Sequence, residues 1–270
     1  MKNLKSSRLA SIKSFGDQWT RFNELGPVAE GPDANQWFRQ WLGTFDPECL
    51  RNCRVAEIGA GVGRSLYNMS RFGPAELIGY EPSGCFPFLQ ENMREVSNCR
   101  LVNKGGHEFQ ESNLDFVLSI GVIHHIPDPL QVVRNAYQSL RPGGQLVIWV
   151  YGNQLWLYVW CQKLARRLTM RMSDNALNQV SRFIALILTG YARAIGIVRA
   201  KRAPMHDYLT TTFMMVSREF RKIVVFDQLN PGWSDYYSEE HLRQLLVDGG
   251  FSSVQIEEKG GYSWTAICTR

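Results

Sequence analysis

The sequence predicts an α/β fold, a largely parallel sheet with helices on both faces, and three observations carry that prediction. Short β-type runs (CRVAEI, ELIGY, CRLV, DFVLSI and QLVIWV) alternate with helical stretches across residues 53–150. The stretch VAEIGAGVGR at 55–64 sets a glycine-rich turn directly after the first of these strands, where α/β folds hold adenosine-bearing ligands. Two closing runs, SSVQIEE and SWTAICT, flank Lys259-Gly260-Gly261 and read as a hairpin, so the sheet should end in an antiparallel pair.

Taken in order, residues 1–50 form a helical lid segment. Phe15, Trp19 and Phe22, then Trp37, Phe38 and Trp41, recur every three or four residues, the spacing of amphipathic helices. Residues 51–150 and 236–270 make the sheet-bearing core. Within it Asp128 should cap a helix that begins at Pro129, and Arg141-Pro142-Gly143-Gly144 should end that helix before the next strand. Ser238 should cap the last helix and Gly249-Gly250 stop it. Residues 151–235 interrupt the pattern as a basic helical insert and acceptor-binding cap. Leu157, Trp160, Cys161, Leu164 and Leu168 keep helical spacing, as do Val180, Phe183, Ile184, Ile187, Leu188 and Tyr191.

At 270 residues and 44% apolar, the chain can bury one large core with an appended lid. Its net charge is only +5, yet residues 151–203 hold nine basic residues against one acid, Asp174, a net +8. The six cysteines are scattered, and the Cys49/Cys53 pair lacks the further ligands a zinc site needs, so reduced thiols and no metal are expected. The basic N-terminus has no continuous apolar stretch of the signal-peptide kind. The longest apolar run, 183–192, is too short to span a bilayer and ends at Arg193. A cytoplasmic protein is expected, with the inner face of a membrane as the alternative place.

The glycine turn decides the ligand. Gly59, Gly61 and Gly63 are spaced G-x-G-x-G, and Arg64 stands where a dinucleotide fingerprint needs its third glycine. Glu57, at the tip of the strand, would repel a pyrophosphate and attract an ammonium. Glu81 ends the next strand, where a carboxylate accepts hydrogen bonds from ribose hydroxyls. These features describe a ligand with an adenosine ribose and a cationic amino-acid tail, and they disfavour a nicotinamide oxidoreductase.

In E-x-G-x-G-x-G at 57–63, Glu81, LDFVLSIGVIHHIPDP at 114–129 and LRPGGQLVI at 140–148, the chain resembles the class I S-adenosylmethionine-dependent methyltransferases. That resemblance implies a Rossmann-like doubly wound sheet in the order 3-2-1-4-5-7-6 with strand 7 antiparallel. It also implies an enzyme whose cofactor is S-adenosylmethionine. Carried over, Gly59, Ala60, Gly61 and Gly63 let the backbone approach the cofactor, Glu57 orients its amino group, and Glu81 with Pro82 holds the ribose. Ser119, Ile120 and Gly121 floor the pocket. Many relatives carry an acid after strand 3 that contacts the adenine, whereas here NKGGHEF offers His107. Trp19 would close over the cofactor or simply anchor its helix.

For the chemistry, His124 is a candidate base at the carboxyl edge of the sheet, or else a residue that only shapes the pocket. His206, Asp207, Tyr208, Asp227, Trp233, Tyr236 and Tyr237 stand in turn-rich sequence suited to gripping a polar acceptor, with His206 and Asp227 as further catalytic candidates. SFGDQWTRFNE is similar to segments of methyltransferases in saccharide or other small-molecule pathways, and VLSIGVIHHIPDP to the C-methylating enzymes of quinone and sterol pathways. The expected function is methyl transfer to oxygen or carbon of a small-molecule acceptor of saccharide type. A membrane-associated quinone or isoprenoid lipid is the rival, and a non-catalytic cofactor-binding protein the reading from another class. The basic helices over 155–202 would dock on an anionic membrane, form a homodimer interface or lid, or attract a phosphate-bearing acceptor; no nucleic acid is expected.

Overall fold

In a computed structural model of the chain, residues 2–23, 38–154, 156–169, 171–198, 200–230 and 234–270 are described; Trp37, Arg199, Pro231, Gly232 and Trp233 lie outside the described residues. Seven strands form one sheet: β1 (Arg54–Ile58), β2 (Glu76–Tyr80), β3 (Cys99–Val102), β4 (Leu114–Ile120), β5 (Leu140–Tyr151), β6 (Ser253–Lys259) and β7 (Ser263–Thr269). Their order is β3-β2-β1-β4-β5-β7-β6. The first five run parallel, and β7 pairs antiparallel with both β5 and β6. The hairpin expected at Lys259-Gly260-Gly261 is present, with both glycines at positive φ (58° and 73°) and Lys259 opposite Ser263.

The central strands are apolar because both of their faces are covered. On one face α4 (Pro129–Ser139) and α8 (Glu239–Asp248) pack Val132, Val133, Ala136, Leu242 and Leu246 onto Ile58, Val117 and Ile148. On the other, α2 (Arg64–Ser70), α3 (Phe86–Met93) and the segment 38–50 pack Leu66, Met69, Leu89, Phe38 and Leu42 onto Val55, Leu77, Leu118 and Val147. A third apolar cluster belongs to residues 165–229. Here α6 (Asp174–Ile197) buries Leu177, Ala185, Ala192 and Ile195 against Leu209, Phe213, Val225 and Phe226, with Tyr262 of the hairpin packed alongside.

Three local readings differ from expectation. Ser238 does cap α8, accepting from the His241 N–H at 3.1 Å, but the Asp128 side chain makes no cap bond on α4. Instead the Asp128 carbonyl accepts from His107 Nε2 at 2.9 Å. The stretch Arg141–Gly144 opens β5 itself, through an irregularity in the β4 pairing, with Gly143 at φ 78°. And 205–230 is not mainly turns: Tyr208–Phe213 is a π-helix and α7 (Arg218–Leu229) follows, capped by Ser217 on the Phe220 N–H. Phe220, Val225, Phe226 and Leu229 form the buried stripe of α7.

The order reverses beside β1, where the chain goes out to β2 on one side and to β4 on the other. That leaves a crevice at the carboxyl ends of the strands. Across it lies α1 (Lys2–Arg21), tied at Ser11 (Oγ to the His125 carbonyl, 2.8 Å) and at Gln18, whose amide donates to Asp227 (2.6 Å) and accepts from Asn230 (2.9 Å). The insert helices α5 (Trp156–Thr169) and α6 flank α7 on this side of the sheet.

Candidate active site

A cavity of about 290 Å³ fills the crevice. Its walls come from the loops after β1 to β4, from Trp149 and Tyr151 at the end of β5, from α1, and from residues 208–228. Of the residues anticipated, it gathers Trp19, Gly59, Ala60, Gly61, Glu81, Pro82, His107, Ile120, Gly121 and Asp227.

The three glycines do different work. A Cβ on Gly59 (φ 80°) would stand 2.5 Å from Val122, so that glycine lets the loop close on β4. A Cβ on Gly61 (φ 56°) would meet only Trp19, at 3.9 Å, so Gly61 offers bare backbone to the cavity. Gly63 is absent from the wall; its neighbours are Leu89 and Met93 of α3. Glu81 accepts from the Gly61 N–H (2.8 Å) and the Ser83 N–H (2.9 Å) and so holds the loop open at the cavity edge.

Glu57 and Ser119 lie under the floor, not in the wall. The Ser119 hydroxyl donates to the Ile58 carbonyl at 3.1 Å. Glu57 is 1% exposed; it accepts from the Ser65 hydroxyl, and its Oε2 has no hydrogen-bond partner. Burial pushes its carboxyl up to about 8, so it is predominantly protonated at neutral pH. On the far side of the crevice, His107 lines the cavity and Asn135 pins its turn to α4, donating to the Gly106 and His107 carbonyls at 3.0 Å each.

His124 and His125 follow β4 on one 3-10 turn, and neighbours on such a turn face different ways. His125 lines the cavity, its ring 4.4 Å from that of Phe15. His124 is wholly buried between His125 and Tyr151, with ring centroids 4.1 Å from each. Neither of its ring nitrogens has a hydrogen-bond partner, and burial holds its pKa well below the usual imidazole value. Burial thus keeps His124 neutral, and it stands behind the cavity wall. His206 likewise lies off the wall, paired with exposed Asp207 at 2.8 Å.

The polar centre of the cavity is Asp227. One carboxylate oxygen accepts from Gln18 and the other from the Tyr151 hydroxyl, at 2.6 and 3.0 Å. Burial, then the neighbouring Asp227 charge, raises the Tyr151 phenol well above its usual pKa. Tyr236 stacks on Tyr151 with centroids 5.9 Å apart and bonds Gln162, whereas Tyr237 is core: its carbonyl accepts from the Trp264 indole at 2.8 Å. The same cavity wall also carries Phe15, Trp41, Trp149, Tyr208, Phe213 and Tyr262.

Sequence reasoning missed Tyr151, whose signal was its place at the carboxyl end of a strand, and the role of Arg64. The Arg64 guanidinium lies over Trp19 (4.7 Å) and Phe220 (5.3 Å) and donates to the Phe22 carbonyl at 2.7 Å, fastening α1 and α7 to the glycine loop.

A family model described as a methyltransferase domain matches residues 33–256. Among curated proteins, the tRNA U34 carboxymethyltransferase of Sulfurimonas denitrificans is 28% identical over 103 residues, 37% of this chain and 35% of that protein. That of Desulfotalea psychrophila is 33% identical over 110 residues, 38% of this chain and 34% of that protein. The chain thus spans about a third of the length of the curated relatives it matches. Among solved structures, an S-adenosylmethionine-dependent methyltransferase from Mesorhizobium loti shares the fold with TM-score 0.53 and 12% identity, over 90% of this chain and 100% of that one. Magnesium protoporphyrin IX methyltransferase from Synechocystis, solved with SAH bound, does so with TM-score 0.52 and 14% identity over 97% of each chain.

Proposed function

Because this chain belongs to the methyltransferase domain family and uses S-adenosylmethionine, we propose that it methylates a small, largely apolar acceptor bearing one hydroxyl, of the ring-containing quinone or isoprenoid type. The observation that carries this reading is the cavity wall, rich in aromatic side chains and including one carboxylate, Asp227, already engaged by Gln18 and Tyr151. Aromatic walls bury apolar rings, and a polyhydroxyl saccharide would leave most of its hydroxyls without partners there.

The cofactor supplies a methyl group already activated on sulfur. Gly59, Ala60 and Gly61 would bring bare backbone to its amino-acid end, Glu81 would receive the ribose hydroxyls, and the 105–107 turn would meet the adenine. Ile120 and Gly121 would floor the pocket, with Trp19 covering it. The room a Cβ at Gly61 would find, and the carboxylate held at the edge by Gly61 and Ser83, fit such a ligand.

Tyr151 and Asp227 would handle the proton. The Tyr151 oxygen can accept from the acceptor hydroxyl while its own proton is already directed at Asp227. As the acceptor oxygen attacks, its proton passes to Tyr151 and that of Tyr151 to Asp227. Phe15 and His125 would hold the acceptor ring.

The names of the curated relatives favour a second reading, a tRNA acceptor. Against it, that similarity covers 37–38% of this chain, and the cavity wall holds an acid as its polar centre. The test is transfer of labelled methyl from S-adenosylmethionine into extract separated into lipid, small polar and RNA fractions. Label in the lipid fraction, lost in Asp227→Asn, is expected; label in the RNA would overturn the reading in favour of tRNA, and label in polar sugars in favour of a saccharide.

A further inference from the structure

We propose that the outer faces of α5 and α6 form a docking surface for an anionic lipid bilayer, on which the protein lies peripherally. The observation is an inversion of the usual helix pattern. α6 buries Leu177, Ser181, Ala185, Thr189, Ala192 and Ile195 against the body of the protein. Its opposite side is also apolar: Phe183, Leu186, Ile187 and Ile197 are 64%, 55%, 54% and 82% exposed. At 3.6 residues per turn these four share one face, turned away from the buried one. α5 repeats the arrangement, burying Gln162, Arg166 and Thr169 while Trp160, Leu164 and Leu168 stand out in solvent. A helix apolar on the side away from its own protein requires a second apolar medium.

The charges identify that medium. Lys163 and Arg167 border the exposed stripe of α5, Arg171 follows it, and Arg182 and Arg193 border that of α6, all of them exposed. The only acid in either helix, Asp174, is engaged by Arg21 at 3.3 Å. An apolar stripe edged by exposed cations complements acyl chains beneath anionic headgroups. A second copy of the chain fits poorly, because a two-fold contact between these faces would set five cations against five, with only Glu219 beside Arg182 to offset them. Nucleic acid would engage the cations and stack on Trp160 and Phe183, but would leave the aliphatic Leu164, Leu168, Leu186, Ile187 and Ile197 without a partner.

Insertion across the bilayer is a different matter. α6 is long and apolar enough to span by length and composition, but its buried face is packed onto α7 and the π-helix, and Arg182 and Arg193 lie within it. A helix fastened along one side lies parallel to the surface. Arg166, though one of the basic residues of 155–202, is not on this face: it is buried, and its Nε donates to the Gln228 carbonyl at 2.7 Å.

The experiment is flotation of the purified chain with vesicles of phosphatidylcholine alone or of phosphatidylcholine mixed with phosphatidylglycerol. It reads binding without catalysis, so its outcome is independent of which acceptor is methylated. Partition onto the anionic vesicles only, reversed by salt, is expected. The triple variant Lys163→Gln, Arg167→Gln, Arg171→Gln should lower it about a hundredfold, each cation contributing about fivefold. The pair Phe183→Asn, Ile187→Asn should also lower it at unchanged charge and unchanged melting temperature, since both residues are exposed. No flotation on either vesicle, equal flotation on both, insensitivity to either variant, or a dimer in solution that the Phe183→Asn, Ile187→Asn pair dissociates would each overturn the proposal.

Discussion

Replacing Glu57 by glutamine tests how the floor of the site is charged. In the folded chain its carboxyl is raised from 4.5 to about 8, chiefly by burial, with the Ser65 hydroxyl opposing and the Glu81 charge adding. A raised carboxyl means that the folded state binds this proton more tightly than the unfolded chain. The contribution to stability is therefore complete below about pH 4.5 and is lost progressively as pH climbs through about 8. A shift of this size corresponds at its limit to roughly 5 kcal/mol, at 1.36 kcal/mol per unit. Between pH 5 and 8 the wild type should lose about 3–4 kcal/mol that the Glu57→Gln chain, which mimics the protonated acid in shape, keeps. Urea unfolding of both proteins across that range measures the difference, and subtraction removes every other titrating group. Parallel stability curves would refute the protonated carboxyl and restore an ionised Glu57. The same variant should bind S-adenosylhomocysteine nearly as well as wild type; a large loss of affinity would show that the carboxylate meets the ligand's ammonium after all.

Other substitutions separate the parts of the site. Gly59→Ala forces a Cβ to 2.5 Å from Val122 at φ 80°, and should cost about 3 kcal/mol of stability, readable as a lower urea midpoint. Gly61→Ala, in open space, should leave the fold within about 1–2 kcal/mol while weakening S-adenosylhomocysteine binding in calorimetry; equal effects from the two glycines would contradict their separate roles. Glu81→Ala removes the acceptor of the Gly61 and Ser83 amides and should reduce cofactor affinity by about 1–3 kcal/mol, with unchanged affinity in a folded variant speaking against the ribose assignment. Tyr151→Phe should lower kcat by about 10²–10⁴ with cofactor affinity intact, whereas His124→Gln should change stability more than rate; the reverse ranking would return the base to His124.

Much of the fold was legible locally. The β-type runs between 53 and 150 form strands in their expected places, Ser238 caps its helix, and the two glycines after Lys259 turn the hairpin. Local signals failed where two of them competed. The buried stripe of α7 was present in Phe220, Val225, Phe226 and Leu229, but Pro231-Gly232 and the polar residues beyond them outweighed it. The π-helix of 208–213 has no periodic signature to read.

The sequence by itself determined the strands, the glycine turn and the place of Glu81 after the second strand, because each depends on near neighbours along the chain, while the strand order and the cofactor followed from the family resemblance. Only the tertiary structure decided the rest of the site. Which of two adjacent histidines faces the cavity depends on a turn packed under Tyr151 and against Phe15, residues distant in sequence. That Asp227 is held by Gln18, 209 residues away, and by Tyr151 depends on α1 crossing the sheet edge to meet α7. And how far burial raises the Glu57 carboxyl depends on how completely the loop above it excludes water, a property of the assembled fold with no local code.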